Sequence, residues 1–188
     1  MDFANINWLL VCIVGIVIIN IVSGFKKGLV KELIDCISLM VLSLAIVLLS
    51  AVLKNYTDRQ YVQMITMIIM VLVLALGYKL IKSLLGGIKI LASLPVISGI
   101  NKLAGGIFGI LETIVIVWFF FCLIGMFEMG AVSEYINTYI QNSQILTYLY
   151  ENNIIASLGE QIMGEDFQMK AMDVLINQGI ELTNEILQ

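Results

Sequence analysis

Residues 101–127 read NKLAGGIFGILETIVIVWFFFCLIGMF. From Leu103 onward this run is apolar except for Glu112 and Thr113. A helix crosses the hydrocarbon core with roughly 17–25 apolar residues, and 103–127 is long enough. It does not alternate apolar and polar positions, so it is not a strand of a membrane barrel. An open sheet is excluded because lipid leaves its edge unsatisfied. The run predicts a transmembrane helix, and the rest of the chain has to be read in its light.

Upstream, three more runs have the same character. They are 6–22, broken only by Asn7 and Asn20, then 33–53, then 62–81 with Lys79 near its end. Composition agrees. Over 188 residues, 60% are hydrophobic, 13% are charged and the mean hydropathy is +1.00. Soluble domains carry about a quarter charged residues, so lipid must replace water over much of this surface. The expected fold is all-α: an integral membrane bundle of about four transmembrane helices over residues 1–127. A short, acidic, amphipathic helical tail over 128–188 follows it.

Charge sets the orientation. The 1–127 part carries a net +4 and the 128–188 part a net −8, which sum to the chain's −4. Cytoplasmic loops are enriched in Lys and Arg. Lys26, Lys27 and Lys31 follow the first run, and Lys82, Lys89 and Lys102 follow the third, with Lys79 at its edge. Both links are expected inside, which puts the N-terminus and the tail outside. The start Met1-Asp2-Phe3, with its lysines after the apolar run, inverts the charge order of a signal peptide; an uncleaved first helix is expected. Nucleic acid is excluded as a partner, because phosphate binding needs a basic surface.

Two shorter segments are amphipathic. In 82–94, Leu84, Leu85, Ile88, Leu91 and Ala92 recur at helical spacing. That suits either a helix in the headgroup region or an extension of the third helix. Pro95 ends it, and Ser98-Gly99 reads as a turn. In the tail, Val132, Tyr135, Ile136, Tyr139 and Ile140 form one stripe, and Met169, Met172, Leu175, Ile176 and Ile186 mark another. Residues 145–158 are less regular, so two or three short helices are expected. They can pack together, lie on the outer leaflet, or meet an extracytoplasmic protein partner.

Two constellations carry the candidate functional residues. In 24–35, Gly24, Gly28, Glu32 and Asp35 share one face if the segment is a continuous helix. The reading is either a packing surface leading to a buried polar site, or a tight turn with Lys31 and Asp35 as an ordinary i,i+4 pair. In 101–112, Gly105 and Gly109 form a small-residue pair of the kind that marks helix contact. Asn101 and Glu112 extend it into a stripe at i, i+4, i+8 and i+11. A charge at the depth of Glu112 is costly, so it must face the interior, pair or stay neutral. It reads equally as part of an ion or proton pathway and as a structural bond to Lys102 or a neighbouring helix. Gly24, Gly28, Gly105 and Gly109 are thus the candidate packing residues. Glu112, Glu32, Asp35 and Asn101 are the candidate buried polar or pore residues.

Enzyme chemistry finds little to work with. The chain has no histidine, which removes His bases and His-containing zinc sites. Cys12, Cys36 and Cys122 all fall in apolar runs and read as small buried hydrophobes. No phosphate-binding loop is present. No catalytic residues, metal or cofactor are expected.

At Gly24-Phe-Lys-Lys-Gly28-Leu-Val-Lys-Glu32-Leu and Asn101-Lys-Leu-Ala-Gly105-Gly-Ile-Phe-Gly109, with Trp8 leading the first helix, the chain resembles the colicin V production protein (CvpA) family. The resemblance covers roughly residues 5–127. It implies a bacterial plasma-membrane protein required for toxin production or export and linked to envelope integrity, with no catalytic set. With the small-residue stripes, it suggests a self-associating, non-enzymatic bundle in the bilayer. The alternative is an oligomeric channel or transporter subunit.

Overall fold

The computed structural model describes residues 6–54, 59–86, 98–127 and 130–164, all numbered as in the sequence. Among them there are helices and turns but no strand. Four long helices are α1 (Trp8–Lys27), α2 (Leu29–Lys54), α3 (Gln60–Gly86) and α4 (Ser98–Met126). Each is long and apolar enough to cross a membrane. Three short ones follow: α5 (Ala131–Gln141), α6 (Gln144–Glu151) and α7 (Ile154–Met163).

The long helices outrun the apolar stretches that predict them. The link expected at 23–32 shrinks to Gly28, whose φ of +80° turns the chain between α1 and α2. Only glycine adopts that backbone cheaply. Lys26 and Lys27 therefore ride in the last turn of α1, where the helix dipole favours cations, and Glu32 sits in the first turn of α2, where it favours anions. The expected turn at Ser98-Gly99 is instead the first turn of α4, so Asn101 and Lys102 are helical. Lys82–Gly86 extends the third helix; residues 87–94 lie outside the described residues.

α4 is the hub. α1 and α2 both pack along it, and α3 lies against α2. The outer face of α3 shows Ile65, Ile68, Leu72, Leu76 and Leu80, and α1 shows Val11, Val14, Ile18 and Ile19. Those faces suit lipid, where apolar exposure costs nothing and helices associate by close packing instead. Cys12 lies on this outward side of α1, in contrast to the burial expected for all three cysteines; Cys122 is fully buried.

The second half of α4 builds the core. Val115, Phe119, Cys122 and Leu123 pack with Leu39, Ile46 and Val47 of α2, with Met70 and Leu74 of α3, and with Ile155 and Ala156 of α7. Val117 and Phe121 pack with Ile140, Leu146 and Tyr150 of the short helices and touch Leu9, Leu10 and Ile13 of α1. Of the openings left for the tail, α5–α7 take the bundle itself, closing the end where α1 starts and α4 finishes. Burial there pushes the Tyr150 phenol up to about 12. The 169–186 stripe lies outside the described residues.

Polar side chains bolt this end together. Asn7 caps α1 by accepting from the Leu10 amide at 3.0 Å, and donates to the Tyr139 carbonyl of α5 at 2.6 Å. Trp118 Nε1 donates to the Leu149 carbonyl at 2.9 Å. Asn153 caps α7 through the Ala156 amide at 3.1 Å and donates to the Trp118 carbonyl at 3.0 Å.

Candidate functional site

The opposite end begins with a seam between α1 and α4. Asn20 meets Gly109, Gly24 meets Gly105 and Gly28 meets Asn101. The pairs step by four residues in opposite directions, so the helices run antiparallel in one held register. A methyl group on Gly24 would strike the Gly105 carbonyl, and one on Gly105 the Gly24 carbonyl. One on Gly109 would strike the Asn20 carbonyl. Glycine is required because backbone touches backbone. The seam lies within one chain, so the stripes that suggest self-association are occupied by an intramolecular contact.

Polar groups pin the seam. Asn101 Oδ1 accepts from the Leu29 amide at 2.8 Å, satisfying one of the orphan donors that open α2. Asn20 Nδ2 donates to Thr113 Oγ1 at 2.9 Å, and Thr113 Oγ1 donates to the Gly109 carbonyl at 3.1 Å. Thr113 therefore continues the stripe of Asn101, Gly105 and Gly109. Glu112, expected on that stripe, is one residue earlier and turns toward α2 and α3. Likewise, Gly24 does not share a helix face with Glu32 and Asp35, because Gly28 breaks the helix between them.

Beside the seam all four long helices contribute to one charged cluster. Lys27 of α1 lies at its centre. Its ammonium is 2.7 Å from Glu32 Oε2, 3.0 Å from Asp35 Oδ2 and 3.8 Å from Glu112 Oε2. Lys82 of α3 reaches Asp35 Oδ2 at 2.8 Å. Tyr78 of α3 donates its hydroxyl to Glu112 Oε1 at 2.8 Å. Side chains lean toward the N-terminus of their helix, which points Lys27 back into the bundle instead of out of its end. Glu32 is 0% exposed, Glu112 6% and Asp35 7%. Glu112 is the middle residue of α4, roughly 20 Å along a helix rising about 1.5 Å per residue.

Three of the four candidate polar residues thus converge: Glu32, Asp35 and Glu112. Asn101 caps α2 instead. The partner of Asp35 is not the i,i+4 neighbour Lys31 but Lys27 and Lys82, and that of Glu112 is not Lys102 but Tyr78 and Lys27. Sequence reasoning missed Lys27, Tyr78 and Lys82 as site residues. Their only signal was position, since each lies near the end of its run where the cluster forms. Lys27 and Lys82 read as topology charges, and Tyr78 was not singled out.

The arrangement holds charge in an apolar surround. Three carboxyls face two ammonium groups, and Glu32 Oε1 and Glu112 Oε2 are buried with no hydrogen-bond partner. Among the described residues, no group of His, Cys, Asp and Glu is arranged to hold a metal ion. No curated protein and no solved structure matches the chain. A family model described as colicin V production protein matches residues 11–153, which include the seam, the whole cluster and the helices α5 and α6. Spanning most of its length, that match makes this multi-pass membrane protein a member of the colicin V production protein family.

Proposed function

We propose that the protein is a non-enzymatic subunit of the bacterial inner membrane that supports toxin export or envelope homeostasis. The observation that carries this is the buried cluster around Lys27 and Glu112, set among apolar helices. Ionisable groups inside a membrane bundle are expensive and are retained where they serve a function. In this reading the basic end of the bundle faces the cytoplasm, and the N-terminus and α5–α7 lie outside. The acidic tail is proposed to meet an extracytoplasmic protein. Several copies associate through outer apolar faces such as that of α3, because the glycine seam is already filled. The test is complementation of a deletion strain, scored by toxin export and resistance to envelope stress. Glu112→Gln is expected to fail at normal membrane abundance, while Glu134→Gln, on exposed α5, is expected to succeed. Full complementation by Glu112→Gln would sink the reading.

A second reading, an ion channel or transporter subunit, is favoured by the orphan oxygens of Glu32 and Glu112. Lys27 fills the space between the carboxyls, so conduction would run between copies. Ion flux through proteoliposomes, altered by Glu112→Gln, supports this reading; silent proteoliposomes support the first.

A further inference from the structure

We infer that Glu32 and Glu112 together form a site for one exchangeable proton in the interior of the bundle. The site holds whether or not the protein conducts ions, since it rests on the cluster alone.

Charge comes first. Glu32, Asp35 and Glu112 would carry three negative charges against the two positive charges of Lys27 and Lys82. Of the three carboxyls Lys82 reaches Asp35, and its side chain is 45% exposed. Lys27 is left between Glu32 and Glu112 while it also contacts Asp35. Two carboxylates beside one shared cation cannot both ionise cheaply in an apolar surround.

Hydrogen bonding makes the same point independently. Glu32 is fully buried, and its carboxyl is turned into the cluster by the contact of Oε2 with Lys27. Its Oε1 has no partner. Glu112 places Oε1 on the Tyr78 hydroxyl, and its Oε2 receives no hydrogen bond, the Lys27 ammonium at 3.8 Å being beyond range. Buried acceptors without partners are costly. A proton turns one of these acceptors into a donor, with the neighbouring carboxyl as its acceptor. The step is simple: hydronium gives up a proton, one carboxyl O–H bond forms, and water is released.

A proton fits better than a metal cation. The Lys27 ammonium already occupies the place among the carboxylates where a cation would sit, and would repel a second one. The groups facing the pair include Lys27 from α1, Asp35 and Cys36 from α2, and Tyr78 and Lys82 from α3. Asp35 is already held by Lys27 and Lys82, and the Tyr78 hydroxyl alone falls short of the shell of oxygen ligands that hard cations require.

Infrared difference spectroscopy on the full chain in lipid nanodiscs, titrated from acid to alkaline pH, tests the site. The wild type is expected to show the carbonyl stretch of a protonated carboxyl shielded from water. The band should shift on exchange into deuterated water and vanish as the proton leaves. It should be lost in Glu32→Gln and in Glu112→Gln, because the two carboxyls that remain, one of them Asp35, are then matched by Lys27 and Lys82 and both ionise. Glu134→Gln should keep it. A wild type with no such band at any pH overturns the proposal without reference to any variant, and so does a band that survives both substitutions.

Discussion

Gly24 shows how much one hydrogen atom in place of a methyl group can decide. Its Cα touches the backbone of Gly105, and no side chain fits between them. Gly24→Ala is expected to destabilise the bundle by about 1–3 kcal/mol, the usual range for overpacking. Gly15→Ala, on the same helix but facing open space, is expected to be neutral. Thermal unfolding in detergent checks both; equal melting temperatures would contradict the seam. The small-residue pattern at Gly105 and Gly109 was legible through the longer stripe that begins at Asn101, since glycines four apart recur by chance in apolar helices. What they pack against was not, because a glycine stripe looks the same whether it meets its own chain or a second copy. Glu112 was legible as an expensive charge. Its partners were not, because Lys27 and Tyr78 come from two other helices, α1 and α3, and sequence spacing carries no information across them.

At the scale of elements, the four spans follow from apolar run lengths, and their true ends do not. Lys26, Lys27, Lys31 and Glu32 look like a loop when read by hydropathy. Helix dipoles and the single reversing glycine keep them helical, which is how the cluster reaches its depth. The short helices show a similar split. The periodicity of 132–140 predicts a helix, but its apolar stripe would look the same against lipid, a partner or the bundle. The choice is made by single polar bonds such as those of Asn153, which sequence periodicity does not encode. Asn153→Ala removes the cap of α7 and its tie to Trp118. The cap alone is worth about 0.5–2 kcal/mol, so limited proteolysis should cut within α7 earlier than in the wild type. An unchanged cleavage pattern would mean that apolar packing by Ile155 and Ala156 suffices.

The whole molecule has two unlike ends. One carries Lys26, Lys27, Lys31, Lys79, Lys82 and Lys102 with the glycine seam and the charged cluster, and the other is closed by α5–α7 and an aromatic core. This polarity agrees with the charge difference between residues 1–127 and 128–188. The central claim is that these two ends lie on opposite sides of a bilayer. Lys31→Cys, exposed where α2 begins, and Tyr148→Cys, exposed on α6, place one thiol at each end. Labelling intact spheroplasts with a membrane-impermeant thiol reagent, with the wild-type chain as background, reads their sides. The account predicts that Tyr148→Cys is labelled from outside and Lys31→Cys only after the membrane is opened. Labelling of both from the same side would contradict it.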